Sequence, residues 1–129
     1  MTYRRRDEHG AATTELVIAT PLLLLLLLLI IQFALWEHAG HVADAAAREG
    51  VRAARLENGT NEAGEEKATG FLNQLGGSTL NTPRVEVVRD ADVVHVTVTG
   101  YAEEVVPGMH MPIRAVSSGQ IEKFHGADE

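Results

Sequence analysis

Between Leu16 and Trp36 the chain runs 21 residues without a charge, and only Thr20, Pro21 and Gln32 interrupt the apolar side chains. In a helix, at about 1.5 Å per residue, such a run extends roughly 30 Å, the thickness of a hydrocarbon core. Leu22 to Leu29 are eight consecutive leucines. A helix buried in a small soluble core keeps a polar face, and this stretch has none. The segment therefore predicts a membrane-spanning helix over residues 11–36, with Trp36 as an interfacial anchor and lipid as its surroundings. The apolar stretch exceeds the roughly 7–15 residues of a cleaved secretory signal, and no clear small-residue cleavage site follows Trp36.

Charge sets the expected orientation. Arg4, Arg5 and Arg6 precede the run, and the first base after it is Arg48. Basic residues retained on the cytoplasmic side predict an N-terminus inside and a C-terminus outside the cell membrane. Residues 1–10 then form a basic cytoplasmic leader and residues 37–129 an extracytoplasmic domain. That outer part carries eight basic and fifteen acidic residues, so the whole formal charge of −7 lies beyond the apolar run. An acidic domain lacks the electrostatic footprint of a nucleic-acid binder. The 129 residues include no cysteine, which excludes a disulfide framework and a thiolate metal site.

The spacing of small side chains continues the helix past Trp36. Ala39, Ala43, Ala47, Val51 and Ala54 recur at steps of four or three, while Arg48, Glu49, Arg52 and Arg55 take much of the remaining surface. One helix is predicted from about Ala12 to Leu56, with Gly59 as a left-handed stop inside the turn Asn58-Gly59-Thr60. A second helix is expected from Glu62 to Leu75, ended by Gly76-Gly77-Ser78. Arg84 to Arg89 and Val93 to Tyr101 flank the short turn Asp90-Ala91-Asp92. In the second run Val94, Val96 and Val98 alternate with His95, Thr97 and Thr99, a period of two that predicts a strand with one buried face. Pro107-Gly108 marks a loop, and a third strand is expected over Ile113 to Glu122. A sheet this small needs an apolar cover. The available covers are the alanine stripe and the Phe71-Leu72-Leu75 side of the second helix. The fold class is α+β: a long membrane-plus-stalk helix, a short second helix, and an antiparallel sheet of about three strands. The tail from Gly126 is expected to fray.

No constellation of catalytic residues emerges, and the chain reads as a non-enzyme without a cofactor. Ser117-Ser118 has no His and Asp partners in a recognisable pattern, and Glu103-Glu104 are adjacent, pointing to opposite strand faces. His38, His41 and Asp44 fall three apart along one helix side, beside Glu37. Such spacing suits zinc in other settings, but a solvated polar face explains it here, and no metal is expected. His95, His110 and His125 are scattered and expected to be exposed. Glu15 stands at the inner edge of the apolar run, five residues after Gly10, with Ala11-Ala12-Thr13-Thr14 between them. A carboxylate there either remains solvated at the interface or finds a cationic partner. Pro21 lies early in the run, where it removes one backbone hydrogen bond. It acts either as a local kink or as a hinge.

Gly10, four small residues, Glu15 and a hydrophobic helix together resemble the class III signal of type IV prepilins. In more detail, Gly10, Glu15, Pro21 and Ala47-Arg48-Glu49-Gly50-Val51-Arg52 resemble the TadE-like family of tight-adherence (Flp) pilus proteins. The strand around Val96, Val98 and Tyr101 and the loop Val105-Val106-Pro107-Gly108 are similar to later parts of that family. Leu16 departs from the aromatic that usually follows the glutamate in Flp-type prepilins. The resemblance implies a minor pilin or pseudopilin-like component of a pilus assembly system. A prepilin peptidase would cut between Gly10 and Ala11, and the helix would pack against other pilin-like or Tad pilus proteins through Glu15 and Pro21. The alternative is a permanently anchored extracytoplasmic interaction domain, neither processed nor assembled.

Overall fold

The computed structural model describes residues 3–56 and 58–122, with side chains from Gly10 onward. His125, the tail from Gly126 and the side chains of Arg4, Arg5 and Arg6 lie outside the described residues. Helix α1 runs unbroken from Tyr3 to Ala54, 52 residues, or about 78 Å. It begins well before the expected Ala12. Once such a helix is nucleated each added residue gains one hydrogen bond, and no proline stands between Tyr3 and Pro21 to stop it. Helix α2 spans Asn61–Phe71 and loosens into a π-helical turn over Leu72–Gly76. Strands β1 (Leu80–Arg89), β2 (Val93–Ala102) and β3 (Pro112–Gln120) form an antiparallel meander in the order β1-β2-β3. The architecture is α+β, as the sequence predicts.

The two periodicities meet face to face. Ala39, Ala43, Ala47, Val51 and Ala54 are all buried, and Ala46 joins them. Val94, Val96 and Val98 are fully buried beneath that stripe, while His95 on the same strand is exposed. Small side chains let the layers approach closely. Val51 covers Gly119, where an added Cβ would come within 2.7 Å of its Cγ1. Helix α2 crosses α1 at Gly50 and Gly64: a Cβ on Gly64 would lie 2.9 Å from Ala54 Cβ and 3.0 Å from Gly50 O. Gly50 is thus half of a helix crossing.

Two local expectations are corrected. Gly59 is not among the residues with positive φ. Helix α1 ends with Arg55 N donating to Val51 O, and Gly59 is needed because a Cβ there would lie 2.6 Å from Ala54 O. Leu75 does not cover the sheet. It is 62% exposed, whereas Leu72 is buried, because the π turn widens the helix and swings Leu75 away. Trp36, expected as an interfacial anchor, is also tied to the head: its Nε1 donates to Pro112 O at 3.1 Å.

The loop after α1 is held by Arg89. This half-buried side chain reaches from the end of β1 and donates to Gly59 O and to Leu56 O. A charged donor on backbone carbonyls contributes about 1.5–3 kcal/mol. Arg89→Ala is therefore expected to lower the stability of the head by about that amount. Arg89→Lys should recover little of it, since an ammonium lacks the planar fork that reaches two acceptors. The urea midpoint of the three proteins measures this, and equal midpoints for wild type and Arg89→Ala would contradict it.

Candidate functional site

The α1 surface from Gly10 to Leu27 is bare. Leu16, Val17, Ile18 and Leu22 to Leu27 are exposed, and among the described residues nothing from the head reaches them by a hydrogen bond. A helix of this length and apolarity is sufficient to cross a membrane. Gly10 lies inside the helix, and a Cβ there would meet nothing within 4 Å. Ala11 is exposed beside it. Gly10 O accepts a hydrogen bond from Thr14 Oγ1 at 2.9 Å. Glu15 is exposed, and among the described residues its carboxylate has no ion pair or hydrogen bond. Five residues advance a helix by one full turn and about 140° more, so Gly10 and Glu15 do not share a face.

Pro21 is accommodated without interrupting α1. Its ring nitrogen carries no hydrogen, so the carbonyl of Val17 loses its usual donor. The neighbouring Thr20 Oγ1 donates to Leu16 O at 2.7 Å, a back-bond common where helices bend.

At the other end of the bare surface stands the residue that sequence reasoning passed over. Gln32 is fully buried. Its Nε2 donates to Glu103 O at 3.0 Å, and its Oε1 accepts from Val105 N at 2.7 Å and Val106 N at 3.1 Å. One side chain of the apolar run thus locks the loop between β2 and β3 onto the helix. The signal was present, since Gln32 is the one amide in the run. What it bonds to lies more than 70 residues away and has no local trace.

The polar groups near the start of the stalk form a solvated face. His41 Nε2 lies 3.6 Å from a Glu37 oxygen, and Asp44 pairs with Arg48. Arg52 and Glu49 are 3.1 Å apart, and Arg55 and Glu122 are 3.5 Å apart. Exposed pairs of this kind contribute about 0–1 kcal/mol each. Among the described residues no three His, Asp or Glu side chains gather as a metal would need. Ser117 and Ser118 alternate on β3, with Ser117 facing inward beside Val96 and Ser118 outward beside His95.

The bare helix, Glu15 and the alanine stripe that follows belong to one continuous stretch, and a family model matches that stretch. Residues 10–52 match the family model for TadE-like protein. No curated protein and no solved structure matches the chain. The TadE-like segment starts at Gly10 and ends two residues past Gly50, so it contains Glu15, Pro21, Gln32 and most of the stripe. The match agrees with the resemblance read from those residues. The second helix and all three strands lie beyond it.

Proposed function

We propose that this chain is a minor pilin or pseudopilin-like component of a tight-adherence pilus assembly system, anchored by α1 with its acidic head outside the cell. The observation that carries the reading is Gly10. Glycine in a helix interior costs up to about 1 kcal/mol relative to alanine, and here, among the described residues, no neighbour requires the missing Cβ. Gly50 and Gly64, by contrast, sit at a crossing that excludes one. A glycine without an internal purpose, at the head of a TadE-like segment, fits recognition by an outside agent, a prepilin peptidase cutting before Ala11. Glu15 supports the same reading. At the inner edge of the span its unpaired carboxylate is costly unless a cation comes close. The amine freed at Ala11 of a neighbouring helix supplies one. Pro21 then serves as the point where the helix bends as it leaves the bilayer.

The test is the intact mass of the membrane-extracted chain from cells with an active prepilin peptidase. Wild type is expected to begin at Ala11. Gly10→Val should remain full length yet keep a folded head, since the structure has room for the side chain. Glu15→Ala should be cleaved but lose co-purification with pilin-like partners. A full-length wild-type chain in such cells would overturn the processing claim in favour of a permanently anchored interaction domain. Undiminished partner capture by Glu15→Ala would return Glu15 to the role of a solvated carboxylate near a helix start.

A further inference from the structure

The loop Glu103–Met111 lies lower on α1 than an ordinary outer domain would allow. It is tied to Gln32, which falls within the apolar run. On the Gln32 side of the helix the leucines are partly covered: Leu28 and Leu29 are 36% and 37% exposed, against 53%, 52% and 59% for Leu26, Leu27 and Ile30. The head therefore shields helix surface up to four residues below Gln32. If that loop stood clear of lipid, the remaining span would be Leu16 to Ile31, about 24 Å long. A hydrocarbon core of about 30 Å would then be badly matched. If the loop enters the lipid, the full run from Leu16 to Trp36 matches it.

The loop is built for that position. From Val105 to Met109 it carries no charge. Non-helical backbone survives in a low-dielectric setting only when its polar groups are satisfied internally, and here each N–H in turn is accounted for. Val105 N and Val106 N donate to Gln32 Oε1. Pro107 has no N–H. Gly108 N donates to Glu104 Oε1, and Met109 N donates to Val106 O at 3.1 Å. Val106 to Met109 form a tight turn with Pro107 second and Gly108 third, at φ +84°, as a type II turn requires. The Glu104 carboxylate that caps the turn also faces His110 Nδ1 at 3.2 Å, so the acid nearest the tip is engaged. Above the tip stand Trp36 and the exposed Tyr101, which pair with Pro112 through a hydrogen bond and across the sheet respectively. Aromatic residues of this kind collect at the headgroup level.

We propose that the Glu103–Met111 loop is a second membrane-contacting element, its Val105–Met109 tip seated in the outer-leaflet interface beside α1. The partner is a lipid surface, because the uncharged tip is bonded to the helix at Gln32, inside the uncharged run that spans the bilayer. The head is thereby held by two contacts and has one fixed orientation on the bilayer.

The absence of cysteine makes the test direct. Pro107→Cys and, independently, Met109→Cys are labelled with an environment-sensitive fluorophore in the full chain. The protein is reconstituted at low protein-to-lipid ratio in vesicles of phosphatidylcholine and phosphatidylglycerol. Leu27→Cys marks the deep helix and Ser118→Cys the outer sheet face. Labels at 107 and 109 are expected to be quenched several-fold more than the Ser118 label by lipids bearing a spin label high on the acyl chain. They should be several-fold less sensitive to aqueous iodide. Tip labels that behave like Ser118 overturn the proposal. So does iodide protection without quenching by lipid, which would assign the loop to contact with another protein copy. A Leu27 label open to iodide would overturn the spanning helix itself, and would leave the pilus reading to be judged separately by the mass of the chain.

Discussion

Gly64→Leu is expected to unfold the head. The side chain would enter a crossing where even a Cβ lies 2.9 Å from Ala54 Cβ, 3.0 Å from Gly50 O and 3.5 Å from Val87 Cγ1. Two of these neighbours belong to α1, which also packs on Val96 at Gly50 and on Gly119 at Val51, so the helices have little room to separate. Overpacking of a closed core costs about 1–3 kcal/mol for small increments and more for a whole side chain. A head of this size has only several kcal/mol to lose. Gly64→Ala should be destabilising but folded, because up to about 1 kcal/mol of helix propensity offsets the clash. Gly70→Ala is the control. It lies on the same helix with nothing within 4 Å, and should stabilise. Urea denaturation of the full chain in micelles, followed by circular dichroism, reads all three. A Gly64→Leu protein with the wild-type midpoint would show that the crossing is looser than drawn.

Gln32→Leu is expected to free the β2–β3 loop without unfolding the sheet. Leucine keeps the volume and removes three hydrogen bonds, leaving Val105 N, Val106 N and Glu103 O without their partner. A buried donor or acceptor left unsatisfied costs about 1–3 kcal/mol. The relief is local opening, because the loop's other tether, Trp36 to Pro112, lies at the start of β3. Amide exchange at Val105 and Val106 should rise by roughly a hundredfold or more, at about 1.4 kcal/mol per factor of ten. Amides at Val94, Val96 and Val98 should change little. Gln32→Glu keeps acceptors for the two N–H groups but loses the donor to Glu103 O, so it should fall between. Unchanged protection at Val105 in Gln32→Leu would mean that the loop is held by other contacts.

Elements set by short-range pattern were legible. The valine alternation of β2 and the alanine spacing of the stalk each describe one side of an element, and those sides are the ones that meet. Strand ends were harder. β1 begins at Leu80 rather than Arg84, through a register shift between Asn81 and Arg84 where Thr82 takes a positive φ. A bulge before a proline does not show as alternation. Of the candidate site residues, Gly10, Ala11, Glu15 and Pro21 could be singled out because their proposed roles rest on order and spacing along a single helix. Arg89 and Gln32 were not, since each acts on backbone groups far away in the chain.

By itself, the sequence determined that this chain carries one helix long and apolar enough to cross a membrane, and that an acidic α+β head follows it. Uncharged length and side-chain period are local properties, and every conformation of the chain has them. Only the tertiary structure decided how deep the head sits on the helix, which glycines are crossings, and why a glutamine interrupts an apolar run. Those depend on pairings such as Gln32 with Val105, separated by 73 residues. A donor finds its acceptor at that distance only after the sheet has packed on the alanine stripe and brought the loop down to meet it.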